Sequence, residues 1–349
     1  MAAGFPRALS LQAEAEAEGY HGLGILAQWR KLHDLLAARA SESESPLALL
    51  EEASGSAEPK LRFLVPGTAS TLPGLGAKEV LQLIHPLARE EDLRISEAVQ
   101  AFGLRPLAER EGAPVRHLLL PWTKDPSPRV RRAVVEALRP RGVWVKHLRW
   151  AVESPALLLP LLDSLQADPS RLVCNAVGNS LNDASKAKPE FALEVAGRWL
   201  EEGRQGPWTR HVVGKGLRTL VKLGDPRAMK ILGLEELKVE AVARLKSVGP
   251  IPPNSNLDLE LEVRNLGKQE VRAALVCELE TTGKNPSKPR RRRRRLGSLL
   301  LPKGESCVFR VRERVYDKKS APLLDGTGRV RFFLNGKEEA EAPFELKRV

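Results

Sequence analysis

Apolar positions along the chain follow two periods. In residues 22–40 they fall at Leu26, Trp29, Leu32, Leu35 and Leu36, three and four residues apart, which predicts an amphipathic helix. Residues 41–56 are rich in Ser, Glu and Ala and predict a short helix between loops. Residues 66–76 carry Pro66, Gly67, Pro73, Gly74 and Gly76 and read as a loop. From Lys78 to about Leu237 the helical period continues almost unbroken. After the turn residues 249–255 it gives way to alternation, with Leu257, Leu259, Leu261 and Val263 separated by acidic residues, as in a half-buried strand. Residues 271–279, 306–315 and 328–334 are further strand candidates, and Asn335-Gly336 predicts a hairpin turn into a last strand ending near Leu346. About seven short strands in this stretch predict a β-sandwich. The Cys…Trp…Cys pattern of antibody domains is absent, so the expected topology is only Ig-like.

The helical stretch repeats itself. Asp125-Pro-Ser-Pro-Arg-Val130 opens one helix, and Asp168-Pro-Ser-Arg-Leu-Val173 opens another 43 residues later. A third helix over 208–223 follows at a similar interval, and helices over 114–124, 155–167 and 189–202 precede the three. A helix pair recurring at this period predicts a HEAT-type solenoid. Asp before Pro suits a helix start, because the carboxylate accepts exposed amides and Pro tolerates the first turn. The second helix of each pair has an apolar stripe and a polar one: Arg129, Arg132, Glu136 and Arg139; then Asn175, Asn179 and Asp183; then His211, Lys215, Arg218 and Lys222. In a solenoid these stripes would line one concave face as a basic groove suited to a duplex backbone. Taken singly, each reads more readily as a solvated helix face; the same asymmetry in three successive helices brings the two readings level.

The expected architecture is therefore mostly α with a β domain: a HEAT-like α-α solenoid followed by a C-terminal Ig-like β-sandwich. Residues 1–77 form an N-terminal helical or flexible segment, 78–247 the solenoid, and 248–349 the sandwich.

Charge sharpens this picture. The 349 residues carry a formal net charge of +12. Residues 1–60 hold 5 basic and 9 acidic side chains, residues 61–249 hold 29 and 21, and residues 250–349 hold 22 and 14. Two basic blocks thus follow an acidic start, which points to a polyanionic partner, most often nucleic acid. The longest basic run, Arg290, Arg291, Arg292, Arg293, Arg294 and Arg295, falls between predicted strands and reads as an Arg-rich loop contacting phosphates or a narrow minor groove. Its bland alternative is a solvated loop. Cys174, Cys277 and Cys307 are too scattered for a disulfide framework, and the first residues lack a signal-peptide pattern. A cytoplasmic location is expected. No run approaches the roughly 20 apolar residues of a membrane span. No zinc-ligand spacing, GxSxG, Walker loop or HExxH occurs, so no metal, no cofactor and no standard triad is expected.

Three stretches carry a resemblance: residues 130–144, which include Glu136, Arg139-Pro140-Arg141 and Trp144; residues 176–189, with Leu181-Asn182-Asp183 and Lys186; and residues 217–226, with Leu217-Arg218 and Asp225-Pro226. Together they resemble the AlkC branch of the AlkC/AlkD superfamily of DNA alkylation-repair glycosylases, some members of which carry a C-terminal Ig-like domain. The similarity covers roughly residues 78–349 and is strongest over 96–233. The family's Ser-Glu-Gly before Arg-Pro-Arg reads Val135-Glu136-Ala137 here, keeping only the Glu. The Ser96-Glu97 pair upstream of Leu104-Arg105-Pro106 also resembles the family.

The resemblance implies a DNA glycosylase that excises cationic N-alkylated bases, of the 3-methyladenine type, from duplex DNA in base excision repair, without full extrusion of the base. The substrate's own charge makes the base a good leaving group. A carboxylate near the sugar would stabilise the oxocarbenium-like transition state and orient water. Glu136 and Asp183 are the candidate carboxylates, and Trp144 could set its ring face against the cation. Each has a plainer alternative: Glu136 pairing with Arg132 or Arg139, Asp183 making an Asx turn, Trp144 packing in a core. Arg105, Arg132, Arg139, Arg141, Asn179, Asn182, Lys186, Lys215 and Arg218, together with the arginine run, are the candidate DNA contacts. The expected partner is alkylated double-stranded DNA, bound by a monomer away from any membrane. The competing reading is a non-catalytic HEAT-repeat scaffold that binds DNA or protein.

Overall fold

The computed structural model describes residues 19–142, 146–201, 205–234, 236–283, 289–318, 320 and 322–348. The chain divides into two compact units, Met1–Gly216 and Leu217–Val349.

The first unit is helical. Helix α1 (Ile25–Glu42) buries Leu32, Leu36 and Ala40, as the spacing predicts. Pro46 and Pro59 open α2 (Pro46–Ser54) and α3 (Pro59–Thr71), where a missing N–H costs no bond. The loop expected over 66–76 is corrected here, because α3 runs through Pro66 and Gly67 to Thr71. Its Leu64, Val65, Thr68 and Ala69 are buried, and this packing outweighs the local cost of Pro and Gly.

Helix α4 (Ala77–Ala88) is followed by α5 (Leu93–Ala98), which passes through a π turn (Val99–Leu104) into α6 (Arg105–Glu111). Next come α7 (Val115–Leu119), α8 (Pro128–Leu138), α9 (Arg149–Glu153), α10 (Leu159–Leu165), α11 (Arg171–Ser185), α12 (Pro189–Glu201) and α13 (Thr209–Gly216). Helix α11 packs against α8 on one side and α13 on the other. The approach of α13 is close: a Cβ on Gly178 would lie 2.9 Å from the Lys215 Cβ.

The repeated Asp-Pro-Ser motif both caps and clasps. Asp125 Oδ1 accepts the Ser127 amide at 2.8 Å, and Asp125 Oδ2 accepts from Arg89, the residue after α4, at 2.6 Å. One repeat later, Asp168 Oδ1 accepts the Ser170 amide at 2.8 Å while Arg131 of α8 grips both Asp168 oxygens. In the degenerate third repeat the aspartate is replaced by Gly206, where a Cβ would sit 2.5 Å from the Ala167 carbonyl oxygen. There Arg171 of α11 lies 5.2 Å over the Trp208 ring instead. An arginine from the preceding part of the solenoid therefore holds the start of the second helix of a pair three times over, with a ring replacing the carboxylate in the last.

The second unit opens with α14 (Arg218–Leu223) and α15 (Pro226–Ile231), the latter capped by Asp225 on the Arg227 and Ala228 amides. Seven strands follow: β1 (Val239–Leu245), β2 (Asn256–Asn265), β3 (Val271–Thr281), β4 (Arg290–Leu301), β5 (Ser306–Arg314), β6 (Gly326–Leu334) and β7 (Lys337–Leu346). The Ig-like β-sandwich expected from the strand count is not what forms. The strands make two open sheets, a three-stranded one of order β1-β2-β5 and a four-stranded one of order β4-β3-β6-β7, every pairing antiparallel. Alternation and turn residues report how many strands exist; they carry no information on which strands pair.

Two further corrections concern this unit. Strand β1 lies inside the stretch expected to be helical up to 247, because Val239, Ala241, Ala243 and Leu245 alternate with exposed residues at period 2. The arginine run is a strand, not a loop. The hairpin prediction at Asn335-Gly336 matches the turn between β6 and β7, where both residues take positive φ, 46° and 83°. Leu257, Leu259, Leu261 and Val263 of β2 and Ala273, Leu275, Cys277 and Leu279 of β3 belong to one apolar cluster.

Candidate functional site

Glu136 in the last turn of α8 and Asp183 in the last turn of α11, the candidate carboxylates, come together. Arg139, the residue after α8, lies between them. Its Nε donates to Asp183 Oδ2 at 2.9 Å, Nη2 is 2.8 Å from the same oxygen, and Nη1 donates to Glu136 Oε2 at 2.9 Å. Lys186 Nζ donates to Asp183 Oδ1 at 3.1 Å. Asp183 is 1% exposed, with both oxygens engaged. Burial lowers the Arg139 pKa, but Glu136 and Asp183 outweigh it and leave the guanidinium more firmly protonated than usual. Glu136 is only half-buried, and its Oε1 takes no bond from any described residue.

The backbone around Arg139 is held from beneath by Arg105. Its Nη1 donates to the Ala137 and Arg139 carbonyls at 3.0 and 2.6 Å, and its Nη2 donates to the Lys146 carbonyl. Arg105 is 2% exposed, and burial pushes its pKa down to about 10, against the opposing pull of Glu109. It was expected as a DNA contact; the structure places it in the interior, where its donors finish off the C-terminal carbonyls of α8.

The other candidates divide. Asn182, expected as a DNA contact, is also interior, 1% exposed. Asn179, Lys215, Arg218 and Arg141 are half-buried and Lys186 is exposed. Trp144 lies outside the described residues. Arg132, four residues before Glu136 on α8, does not pair with it. Its Nη1 donates to Glu97 and, at 3.2 Å, to Gln100 Oε1, both on the helix that carries the π turn. Glu97 had a signal in the Ser96-Glu97 pair, whereas Gln100 had none. Asn175 was read only as part of a stripe. Its Oδ1 meets His211 Nε2 and Lys215 Nζ, each at 2.9 Å. Burial first, then Lys215 and Arg171, hold the His211 pKa below its ordinary value.

The arginine run is largely committed to the fold. On one face of the four-stranded sheet Arg291 pairs with Glu280 at 2.6 Å and Arg293 with Glu278 at 2.5 Å, and Arg331 meets both glutamates. On the other face Arg292 and Arg294 share Glu313 of β5, whose side chain is 2% exposed. They also donate to the Arg314 and Arg312 carbonyls, so two arginines of one edge strand cover the open edge of the other. Arg295 donates to Ser298 at 3.1 Å, and Arg290 and Arg292 line a cavity of about 310 Å³ with Thr281, Tyr316 and Lys318.

Nucleophilic thiol chemistry finds no support. Burial pushes Cys174 up to about 11 and Cys277 up to about 12. Among the described residues, no group of three His, Cys, Asp or Glu side chains could hold a metal ion, and no helix is long and apolar enough to cross a membrane.

No family model matches the chain. It is 33% identical over 134 residues to the uncharacterized protein YhaZ of Bacillus subtilis (strain 168); the match spans 38% of this chain and 37% of that protein's length. Among solved structures, the chain is similar to the alkylpurine DNA glycosylase AlkC of Pseudomonas fluorescens bound to DNA containing an abasic site analog. That likeness covers 97% of this chain and 91% of the other at 21% identity, with a TM-score of 0.75. It is also similar to smu.31 of Streptococcus mutans UA159, at 20% identity over 59% of this chain and 96% of the other, with a TM-score of 0.44. The chain therefore shares the fold of the AlkC structure over nearly its whole length.

Proposed function

We propose that the protein is a DNA glycosylase that releases cationic N-alkylated purines, of the 3-methyladenine type, from duplex DNA. The observation that carries this reading is Glu136: a carboxylate fixed through one oxygen by Arg139, with no bond to the other from the described residues, in a chain with the fold of a protein described as an alkylpurine DNA glycosylase.

The chemistry follows from that oxygen. As the bond between the sugar C1′ and the alkylated ring nitrogen breaks, its electron pair goes to the base and cancels the positive charge there. Positive charge develops on the sugar, and Glu136 Oε1 stabilises it. Water then adds to C1′ and gives up a proton, for which Glu136 is the nearest acceptor in this reading. Asp183 is a positioning residue: it has no open oxygen, and it holds Arg139, which in turn holds Glu136.

The test is release of 3-methyladenine from methylated duplex DNA. Glu136→Gln lowers the single-turnover rate by more than tenfold, about 1.4 kcal/mol of transition-state stabilisation, while duplex binding survives. Asp183→Asn lowers it as well. Wild-type rates in both variants overturn the assignment, and a wild-type protein that binds duplex DNA but releases no base acts as a scaffold.

A further inference from the structure

Glu136 has two arginines within reach on its own helix. Arg139, at i+3, takes Oε2. Arg132, at i−4, has the spacing that normally joins an arginine to a glutamate along a helix, yet the two make no ion pair. Glu97 instead draws the Arg132 guanidinium across to the neighbouring helix, where Gln100 Oε1 adds a second acceptor. Gln100 Nε2 also donates to the other Glu97 oxygen, so the acceptor pair is itself braced. The brace comes from the segment in which α5 passes into the π turn, which starts at Val99 and includes Gln100. With Arg132 parked there, Glu136 keeps one oxygen free of the described residues.

We propose that Glu97 is a positioning residue whose task is to hold Arg132 off Glu136. The inference rests on the glycosylase reading for its kinetic consequence. A second cation on Glu136 would neutralise the carboxylate and occupy the oxygen that faces the developing sugar charge. Without Glu97, Arg132 falls back on its i+4 partner. A helical pair of this kind is weak but attractive, enough to place Arg132 on Glu136 about half of the time.

The experiment compares three forms of the full chain: wild type, Glu97→Ala, and Glu97→Ala combined with Arg132→Gln. Glu97 is partly exposed, so its truncation leaves the fold in place. The first readout is the Glu136 side-chain carboxyl resonance in 13C NMR, which needs no activity. It moves in Glu97→Ala and returns toward its wild-type position in the double variant. The second readout is single-turnover base release. The rate falls about twofold in Glu97→Ala, with no loss of duplex affinity, and recovers in the double variant. A purely structural role for Glu97 predicts no rescue by Arg132→Gln. An unmoved carboxyl resonance in Glu97→Ala overturns the proposal. Absence of base release by wild type overturns the glycosylase reading instead, and the resonance still decides where Arg132 sits.

Discussion

Arg131 grips Asp168 with two parallel bonds, Nε to Oδ2 at 2.7 Å and Nη2 to Oδ1 at 2.9 Å, across 37 residues of sequence. Both side chains are nearly buried, 12% and 4% exposed. The bond joins the second helix of one repeat to the start of the second helix of the next, while Asp168 also accepts the Ser170 amide. Removing one partner leaves the other desolvated and uncompensated, a loss of about 3 kcal/mol or more. Asp168→Ala and Arg131→Ala should each lower the urea midpoint by a corresponding amount. Replacing both with apolar residues of similar size should recover most of it, because the lone buried charge is then gone.

The equivalent clasp at Asp125 makes an acid-dependent prediction. Burial pushes the Asp125 pKa up, but the Arg89 bond, the Ser127 amide and the His85 ring outweigh it, so the folded value lies below the ordinary 3.8. A carboxylate with a depressed folded pKa binds fewer protons folded than unfolded just below 3.8. Its contribution is therefore complete above that pH and drains away as pH falls through the folded value. The stability difference between wild type and Asp125→Asn should be constant from pH 7 to pH 5 and shrink below pH 3.8, measured by urea unfolding at each pH. A constant difference down to pH 2.5 would sink this assignment.

These clasps also show what was legible in the residues. Asp-Pro-Ser at a 43-residue interval revealed the repeat, because capping is local and leaves a local signature. Its second half, the arginine arriving from the helix before, was not legible, since Arg89 and Arg131 look like any solvated helix arginine. Burial misled in the same way at Arg105 and Asn182: both are polar residue types usually found at the surface, and the three-dimensional packing turns them inward. Pro66 and Gly67 read as a loop because tertiary burial, which overrode them, has no short-range trace. The strand count emerged from alternation, but sheet order did not. Glu136 and Asp183 were singled out as candidates, and Arg139 as a possible partner of Glu136 alone. That one guanidinium joins them depended on how closely α8 and α11 pack.

The arginine run yields a prediction opposite to that of a solvated loop. Glu313 sits between Arg292 and Arg294 with its side chain 2% exposed. Arg292→Ala combined with Arg294→Ala should destabilise the chain by about 3 kcal/mol, because a buried carboxylate is left with no counter-charge. Adding Glu313→Gln should restore a large part of that loss. A solvated run would show neither effect in chemical unfolding.

The same commitment changes which cations should govern DNA binding. Arg291 is already paired with Glu280, and its pKa is raised by that bond. Its charge is partly cancelled before any phosphate arrives. Arg171 is exposed, stacks on the Trp208 ring and has no carboxylate partner among the described residues. It lies close enough to lower the pKa of His211, whose Nε2 shares Asn175 Oδ1 with Lys215, so several cationic and polar groups gather on adjoining turns of α11 and α13. A phosphate contact releases about one counter-ion, and losing it flattens the salt dependence of binding by about one unit of slope. If duplex DNA is the ligand, Arg171→Ala should flatten the plot of log affinity against log salt by about one unit. Arg291→Ala should flatten it by clearly less, because Glu280 is freed as the cation is lost. Titrations of a fluorescent duplex at four salt concentrations check this, and the reverse ranking would place the duplex on the strand and not on the helices.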